Sequence, residues 1–222
     1  MPPDKRSSDG PEVLRPILDV SRETVDRLTV LVELVRKWQP AENLVAPSTL
    51  PDIWRRHVAD SAQLVPLFPS ARRWLDLGSG GGFPGLVLGC LLADRPGAAV
   101  HLVESNGRKC AFLRRAAAAT GSPVTVHQGR IKSILAGWDT PIDCLTARAL
   151  APLDRLLDLS EPILAAGAPA AFFKGADFVR EIDEATQSWD LDLVEHKSRI
   201  DDRGVILEIR QALRRDAGER PA

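Results

Sequence analysis

At 222 residues, with 44% hydrophobic and 27% charged side chains, the chain has the make-up of one folded unit of ordinary size with a small appendage, not of two equal domains. Its 29 basic and 30 acidic residues leave a formal charge of −1, which excludes a general polycation for nucleic acid and leaves only local contacts open. No run approaches membrane-spanning length, the polar start holds no apolar signal core, and Cys90, Cys110 and Cys144 show no CxxC spacing, so a cytoplasmic protein without disulfides is expected.

Residues 1–16 read as a flexible tail. From Ser21, the apolar positions Val25, Leu28, Leu31, Val32, Val35 and Trp38 recur at helical spacing, with Ser21 as a cap and Pro40 as the expected end. A second helix is expected from about residue 49 to 65, carrying Trp54, His57, Val58 and Ser61 and stopping at Pro66 and Pro69. Residues 17–70 would thus form an N-terminal helical cap. Alone, His57 suits a satisfied core histidine; with Asp60 and Ser61 on its helix it equally suits a role in fixing the cap against a ligand pocket. The basic clusters Arg55-Arg56-His57, Arg72-Arg73, Arg108-Lys109 with Arg114-Arg115, and Lys197 with Arg199 read first as solvated faces.

After Arg73 short apolar runs alternate with longer amphipathic ones, as in a parallel sheet covered by helices. Strands are predicted near 74–77, 99–104, 124–128, 142–147, 169–173, 191–198 and 204–210, and helices near 84–93, 108–119, 131–135, 152–165 and 176–188. The last two strands leave no room for a helix between them and predict an antiparallel edge pair. The sheet domain is expected over 71–211, with residues 212–222 a second tail.

The first strand, Trp74-Leu75-Asp76-Leu77, runs into Gly78, Gly80, Gly81, Gly82 and Gly85, with Pro84 placed for an early helix residue. Glycines there let the chain turn tightly and let a ligand approach the backbone. The stretch also satisfies GxGxxG, and Glu104 at the end of the next strand would accept ribose hydroxyls in either a dinucleotide or a methyl-donor site. Asp76 tilts the choice, since a carboxylate beside the turn repels a pyrophosphate and suits a sulfonium ligand, S-adenosyl-L-methionine. Arg148 and Lys174 end the fourth and fifth strands, where open α/β sheets place ligands. Cys144 lacks the preceding proline of a cytosine-attacking thiolate and reads as a buried strand cysteine, as Cys90 and Cys110 read as core. No His/Cys/Asp cluster has metal-ligand spacing, so no metal is expected.

The pattern Asp76-x-Gly78-Ser-Gly80-x-Gly82-Phe-Pro84-Gly85, then Glu104-Ser105, Arg108-Lys109 and Phe112-Leu113, resembles the RsmG (GidB) family. Lys37-Trp38, Asn43-Leu44, His57 with Asp60-Ser61, Gly129-Arg130, Arg148-Ala149, Lys174-Gly175 and Arg203 follow in that family's order, so the resemblance spans roughly residues 20–211. It implies a Rossmann-like class I methyltransferase, a seven-stranded mostly parallel sheet with an N-terminal helical cap, acting on N7 of a guanine in 16S small-subunit ribosomal RNA. The resemblance further implies that Gly78 and Phe83 contact the donor with Asp76, Gly80 and Gly82 beside them, that Glu104 holds its ribose, and that Ile131 and Lys132 lie along its adenine. Asn43, Arg130, Arg148 and Lys174 would meet RNA or the target base, with Arg148 also near the donor. Two departures stand out: Glu42 precedes Asn43-Leu-Val45 where the family has an aromatic, and Ile131-Lys132 replaces an Ala-Glu pair. Other readings left open are a methyltransferase for another RNA or a small molecule, and a non-catalytic nucleotide-binding regulatory domain. The expected partner is small-subunit ribosomal RNA or the ribosomal subunit, with no membrane contact, and the expected state is a monomer.

Overall fold

The structure, a computed structural model, describes residues 9–215. Its centre is a seven-stranded sheet, β1 (Arg73–Leu77), β2 (Ala99–Glu104), β3 (Val124–Gln128), β4 (Cys144–Arg148), β5 (Ala170–Lys174), β6 (Trp189–Lys197) and β7 (Val205–Arg214), in the order β3-β2-β1-β4-β5-β7-β6. The first five strands pair in parallel, and β7 enters antiparallel between β5 and β6. A dinucleotide fold of six parallel strands lacks that inserted antiparallel strand. The topology therefore separates what the glycine pattern left open.

Alternation along the strands sends successive side chains to opposite faces. Trp74, Val100 and Leu102 join one apolar cluster with α4 (Gly85–Leu92) and α5 (Gly107–Thr120). Leu75, Leu77, Val103 and Leu145 join the other, beneath α7 (Leu153–Ala165), with Trp189 from β6. Two shorter helices, α6 (Ile131–Leu135) and α8 (Phe178–Ala185), follow β3 and β5. The cap shares the first cluster through Leu28, Leu31, Val35, Trp54 and Val58, so the cap and the sheet are one core in this region.

Several expected boundaries shift. Helix α1 (Arg22–Glu42) starts at Ser21, whose hydroxyl accepts the Thr24 N–H, but Pro40 lies inside its last turn and does not end it. A proline there forfeits one hydrogen bond, and the stop comes at Asn43, whose left-handed backbone (φ 43°) breaks the helical path. The predicted second helix is broken into a 3-10 turn (Pro47–Thr49), a π-helical turn (Trp54–Ala59), α2 (Asp60–Ala62) and α3 (Leu64–Leu67), so Pro66 falls within a helix. Residues 9–16 are not a tail: Pro11–Leu14 form a 3-10 turn with Leu14 fully buried, and the Asp9 carboxylate accepts the N–H groups of Trp54 and Arg55 at 2.9 Å. Residues 1–8 of that expected tail lie outside the described residues, as do 216–222 of the second, whose first part instead extends β7 to Arg214. Pro84 precedes the first residue of α4, after a cis Phe83-Pro84 bond. Cys90, Cys110 and Cys144 are buried and free. Among the described residues no helix is long and apolar enough to cross a membrane, and no three His, Cys, Asp or Glu side chains converge as a metal-ligand group.

Candidate methyl-donor and base site

The strand order reverses between β1 and β4, and the crevice outside the carboxyl ends at such a point is where open α/β sheets bind ligands. A cavity of about 1270 Å³ opens there. Its walls come from the turn after β1, the ends of β2, β4 and β5, the start of α6, the cap loop at residues 44–46 and the β6–β7 loop.

The turn and the acid form one piece. Gly78 has a left-handed backbone (φ 65°) that side-chain-bearing residues rarely adopt, and a Cβ there would lie 2.5 Å from Leu150 Cδ1, which would have to shift. Glu104 is buried, with Oε2 accepting the Gly80 N–H at 2.9 Å and Oε1 accepting the Asn106 N–H at 2.8 Å. A carboxylate has about four lone-pair sites, so acceptor capacity remains on the cavity side for a pair of hydroxyls. The Leu44 carbonyl packs where a Gly81 Cβ would stand, 2.5 Å from it, which docks the cap loop onto the turn. That loop is held from behind: the Gln39 amide donates to Val45 O at 2.7 Å and accepts the Val45 N–H at 3.0 Å.

Beside the turn stands Arg148, at the end of the neighbouring strand β4, followed by Ala149 in a left-handed conformation (φ 53°). Its guanidinium donates to His57 Nδ1 at 2.7 Å, to Arg56 O at 3.2 Å and to Asp60 Oδ2 at 3.3 Å, and lies 5.5 Å from the centre of the Phe83 ring. Burial lowers the pKa of Arg148, against the opposing pull of Asp60. Burial likewise raises that of Asp60, against the pull of Arg148. Lys109, Arg130 and Lys132 line the same cavity on the α5 and α6 side.

Of the residues expected at the site, Gly78, Gly80, Phe83, Glu104, Arg130, Ile131, Lys132, Arg148 and Lys174 line the cavity. Asn43, Asp76 and Gly82 stand back from it. Asn43 ends α1 and accepts from the Gln39 amide at 3.3 Å, so its visible work is to turn the chain. Gly82 (φ 88°) makes room for Leu86, whose Cδ1 lies 2.3 Å from where a Cβ would be. Asp76 is 1% exposed; one carboxylate oxygen accepts the Gly85 N–H at 3.2 Å at the start of α4, and the other is buried without a partner. Burial pushes its carboxyl up to about 7, which weakens its negative charge near neutral pH, and Glu104 is the carboxylate of the two that lines the cavity. Lys174 lines the cavity, but its ammonium bonds Glu181 at 2.5 Å and Ala151 O at 2.9 Å, which leaves little of its charge for a phosphate.

The residues not anticipated from the sequence are Thr49, Asp60 as an Arg148 partner, and Ser198 and Asp201 of the β6–β7 loop. The spacing of His57 and Asp60 on one helical face was the available signal. The loop contacts carried none, because they join positions far apart: Arg56 bonds Asp201 at 2.9 Å, and the Arg199 N–H bonds Gln63 at 2.6 Å.

The architecture and the chain have known counterparts. Residues 24–203 match the family model GidB, described as rRNA small subunit methyltransferase G. Proteins of Brucella canis and Brucella abortus, each named Ribosomal RNA small subunit methyltransferase G, are 56% identical over 190 residues, covering 86% of this chain and 89% of theirs. Among solved structures, an O-methyltransferase from Bacillus cereus in complex with SAH superposes with a TM-score of 0.57 at 16% identity, over 90% of this chain and 96% of that one. A putative O-methyltransferase from Klebsiella pneumoniae gives 0.57 at 15%, over 90% and 94%. At such identities the two structures establish the class I methyltransferase fold.

Proposed function

The chain belongs to the GidB family, rRNA small subunit methyltransferase G, and from that premise we propose that it transfers a methyl group from S-adenosylmethionine to N7 of a guanine in small-subunit ribosomal RNA. The observation that carries this reading is that Glu104, at the end of β2, and Arg148, at the end of β4, flank β1 and its glycine turn and line the same switch-point cavity.

The residues present fit the donor. Glu104 keeps acceptor capacity for ribose hydroxyls, Gly78 and Gly80 bring bare backbone to the cavity, and Ile131 offers an apolar wall beside an adenine. When bound, the donor supplies a methyl group on a cationic sulfur that a lone pair can attack. Guanine N7 carries such a lone pair in the ring plane and no proton at neutral pH, so no base has to remove one. The protein's task is then to position and to stabilise. Three N–H donors of Arg148 are engaged by His57, Arg56 and Asp60, which leaves two of its five for the guanine edge, where O6 is the acceptor next to N7. Phe83, beneath that guanidinium, supplies an aromatic face. Arg130 and Lys132, exposed at the start of α6, and Lys109 suit RNA phosphates, and Lys132 stands where the resemblance would have placed an acid.

The direct experiment incubates the protein with labelled donor and small ribosomal subunits and digests the RNA for nucleoside mass spectrometry. New 7-methylguanosine is expected. Donor binding with no methylated nucleoside would replace this reading with that of a non-catalytic donor-binding domain, and a different methylated nucleoside would move the site of attack.

A further inference from the structure

His57 is the junction of a hydrogen-bonded line that runs from the cap loop to Arg148. The Thr49 hydroxyl donates to Ala46 O at 2.8 Å, and its oxygen lies 2.7 Å from His57 Nε2. Having one proton, already given to Ala46, the hydroxyl must accept from the ring, so Nε2 carries the hydrogen. Nδ1 is then a bare lone pair, and it receives the Arg148 N–H at 2.7 Å, the shortest of the three contacts that Arg148 makes. The ring is 8% exposed and its centre lies 5.0 Å from that of Phe83. Both nitrogens are thus occupied, and the histidine has no lone pair left to act as a base.

Two further features mark the position. His57 lies in the π-helical turn Trp54–Ala59, a form that occurs at functional sites more often than chance. Burial, with the Arg148 and Arg56 charges, holds the ring neutral, with a pKa lowered to about 3.

We propose that His57 is a positioning residue for methyl transfer, its Nδ1 setting the plane of the Arg148 guanidinium and its Nε2–H fastening that plane to the cap loop at Thr49. The proposal rests on the reading above that Arg148 meets the base. The loop at residues 44–46 also docks on Gly81 and borders the cavity, so the line connects the seating of the cap to the aim of the arginine.

The test measures methyl transfer into small ribosomal subunits, calorimetric binding of S-adenosylhomocysteine and thermal unfolding for His57→Leu, His57→Asn, Thr49→Val and Arg148→Ala. His57→Leu is expected to lower kcat by about tenfold to a hundredfold, with KM and S-adenosylhomocysteine affinity held within about twofold. His57→Asn, whose Oδ1 can take the place of Nδ1, should recover most of that loss, a rescue that a purely structural role would not predict. Thr49→Val, which cuts the line one step away, should lower kcat several-fold. Parental kcat in His57→Leu, or a His57→Asn no better than a folded His57→Leu, overturns the proposal. If His57→Leu fails to fold, parental kcat in Thr49→Val overturns it instead. Arg148→Ala separates the two levels: unchanged turnover there removes the reading of Arg148 itself, whereas an inactive Arg148→Ala beside a fully active His57→Leu removes only the role of His57.

Discussion

Glu104 and Gly80 are joined by a 2.9 Å hydrogen bond from the backbone N–H of the turn after β1 to a carboxylate oxygen at the end of β2. The acid therefore shapes the glycine turn as well as facing the cavity. In Glu104→Gln one of the two oxygens becomes an amide nitrogen, which cannot accept the N–H of Gly80 or of Asn106. The variant also removes the negative charge and an acceptor oxygen from the cavity wall; a hydrogen bond to a charged acceptor is worth about 1.5–3 kcal/mol, so S-adenosylhomocysteine affinity should fall roughly tenfold or more by calorimetry. Affinity equal to that of the parent would remove Glu104 from the donor site.

Lys174 and Glu181 form a pair in which the lysine side chain is 6% exposed. Removing the lysine leaves the Glu181 carboxylate with the Leu153 N–H, 2.7 Å away, in place of an opposite charge and costs roughly 3–5 kcal/mol, whereas replacing both with apolar residues is often close to neutral apart from that freed N–H. Lys174→Met should therefore lower stability in urea sharply, and Lys174→Met combined with Glu181→Leu should recover most of it. A stable single variant that loses methyl transfer would instead restore Lys174 as a contact to RNA.

Asp76 gives a pH dependence whose sign follows from its raised carboxyl. Between its ordinary value of 3.8 and about 7 the unfolded chain ionises this group and the folded protein does not, so the folded protein binds more protons and loses stability as pH rises through that window. Asp76→Asn keeps an oxygen for the Gly85 N–H and abolishes the titration. Its stability relative to the parent should therefore rise from pH 4.5 to pH 7 in urea unfolding. A difference that stays constant across that range would mean that Asp76 ionises normally in the folded protein.

Ala149 holds a left-handed backbone, φ 53°, one residue beyond Arg148. A non-glycine residue there carries strain of about 1–2 kcal/mol. Ala149→Gly relieves that strain while adding freedom to the unfolded chain, so the net change should stay within about 1 kcal/mol. Ala149→Val, which adds a β-branch at an exposed position, should destabilise the protein clearly. Equal stability of the glycine and valine variants in urea would show that the left-handed conformation is not maintained in solution.

The residues legible in advance were those whose signal is local. Hydrophobic alternation marked all seven strands to within a few residues, and the glycines after Asp76 marked the turn, because period and backbone freedom are properties of short stretches. Asn43 and Lys174 were legible as polar residues near the site but not in what they do. The first depends on a left-handed helix end and the second on Glu181, which lies on another element.

The sequence by itself determined the class of fold, through a β/α alternation that ends in two strands with no helix between them, and it marked the turn and the acid that we propose hold the donor. Tertiary structure decided the rest. The insertion of β7 between β5 and β6 distinguished this sheet from a dinucleotide-binding one, and burial set Asp76 back from the cavity, where it accepts the Gly85 N–H at the start of α4. The Thr49–His57–Arg148 line spans 99 residues of chain between its ends. No local pattern encodes such a contact, because it exists only once the cap loop and the end of β4 meet across the same crevice.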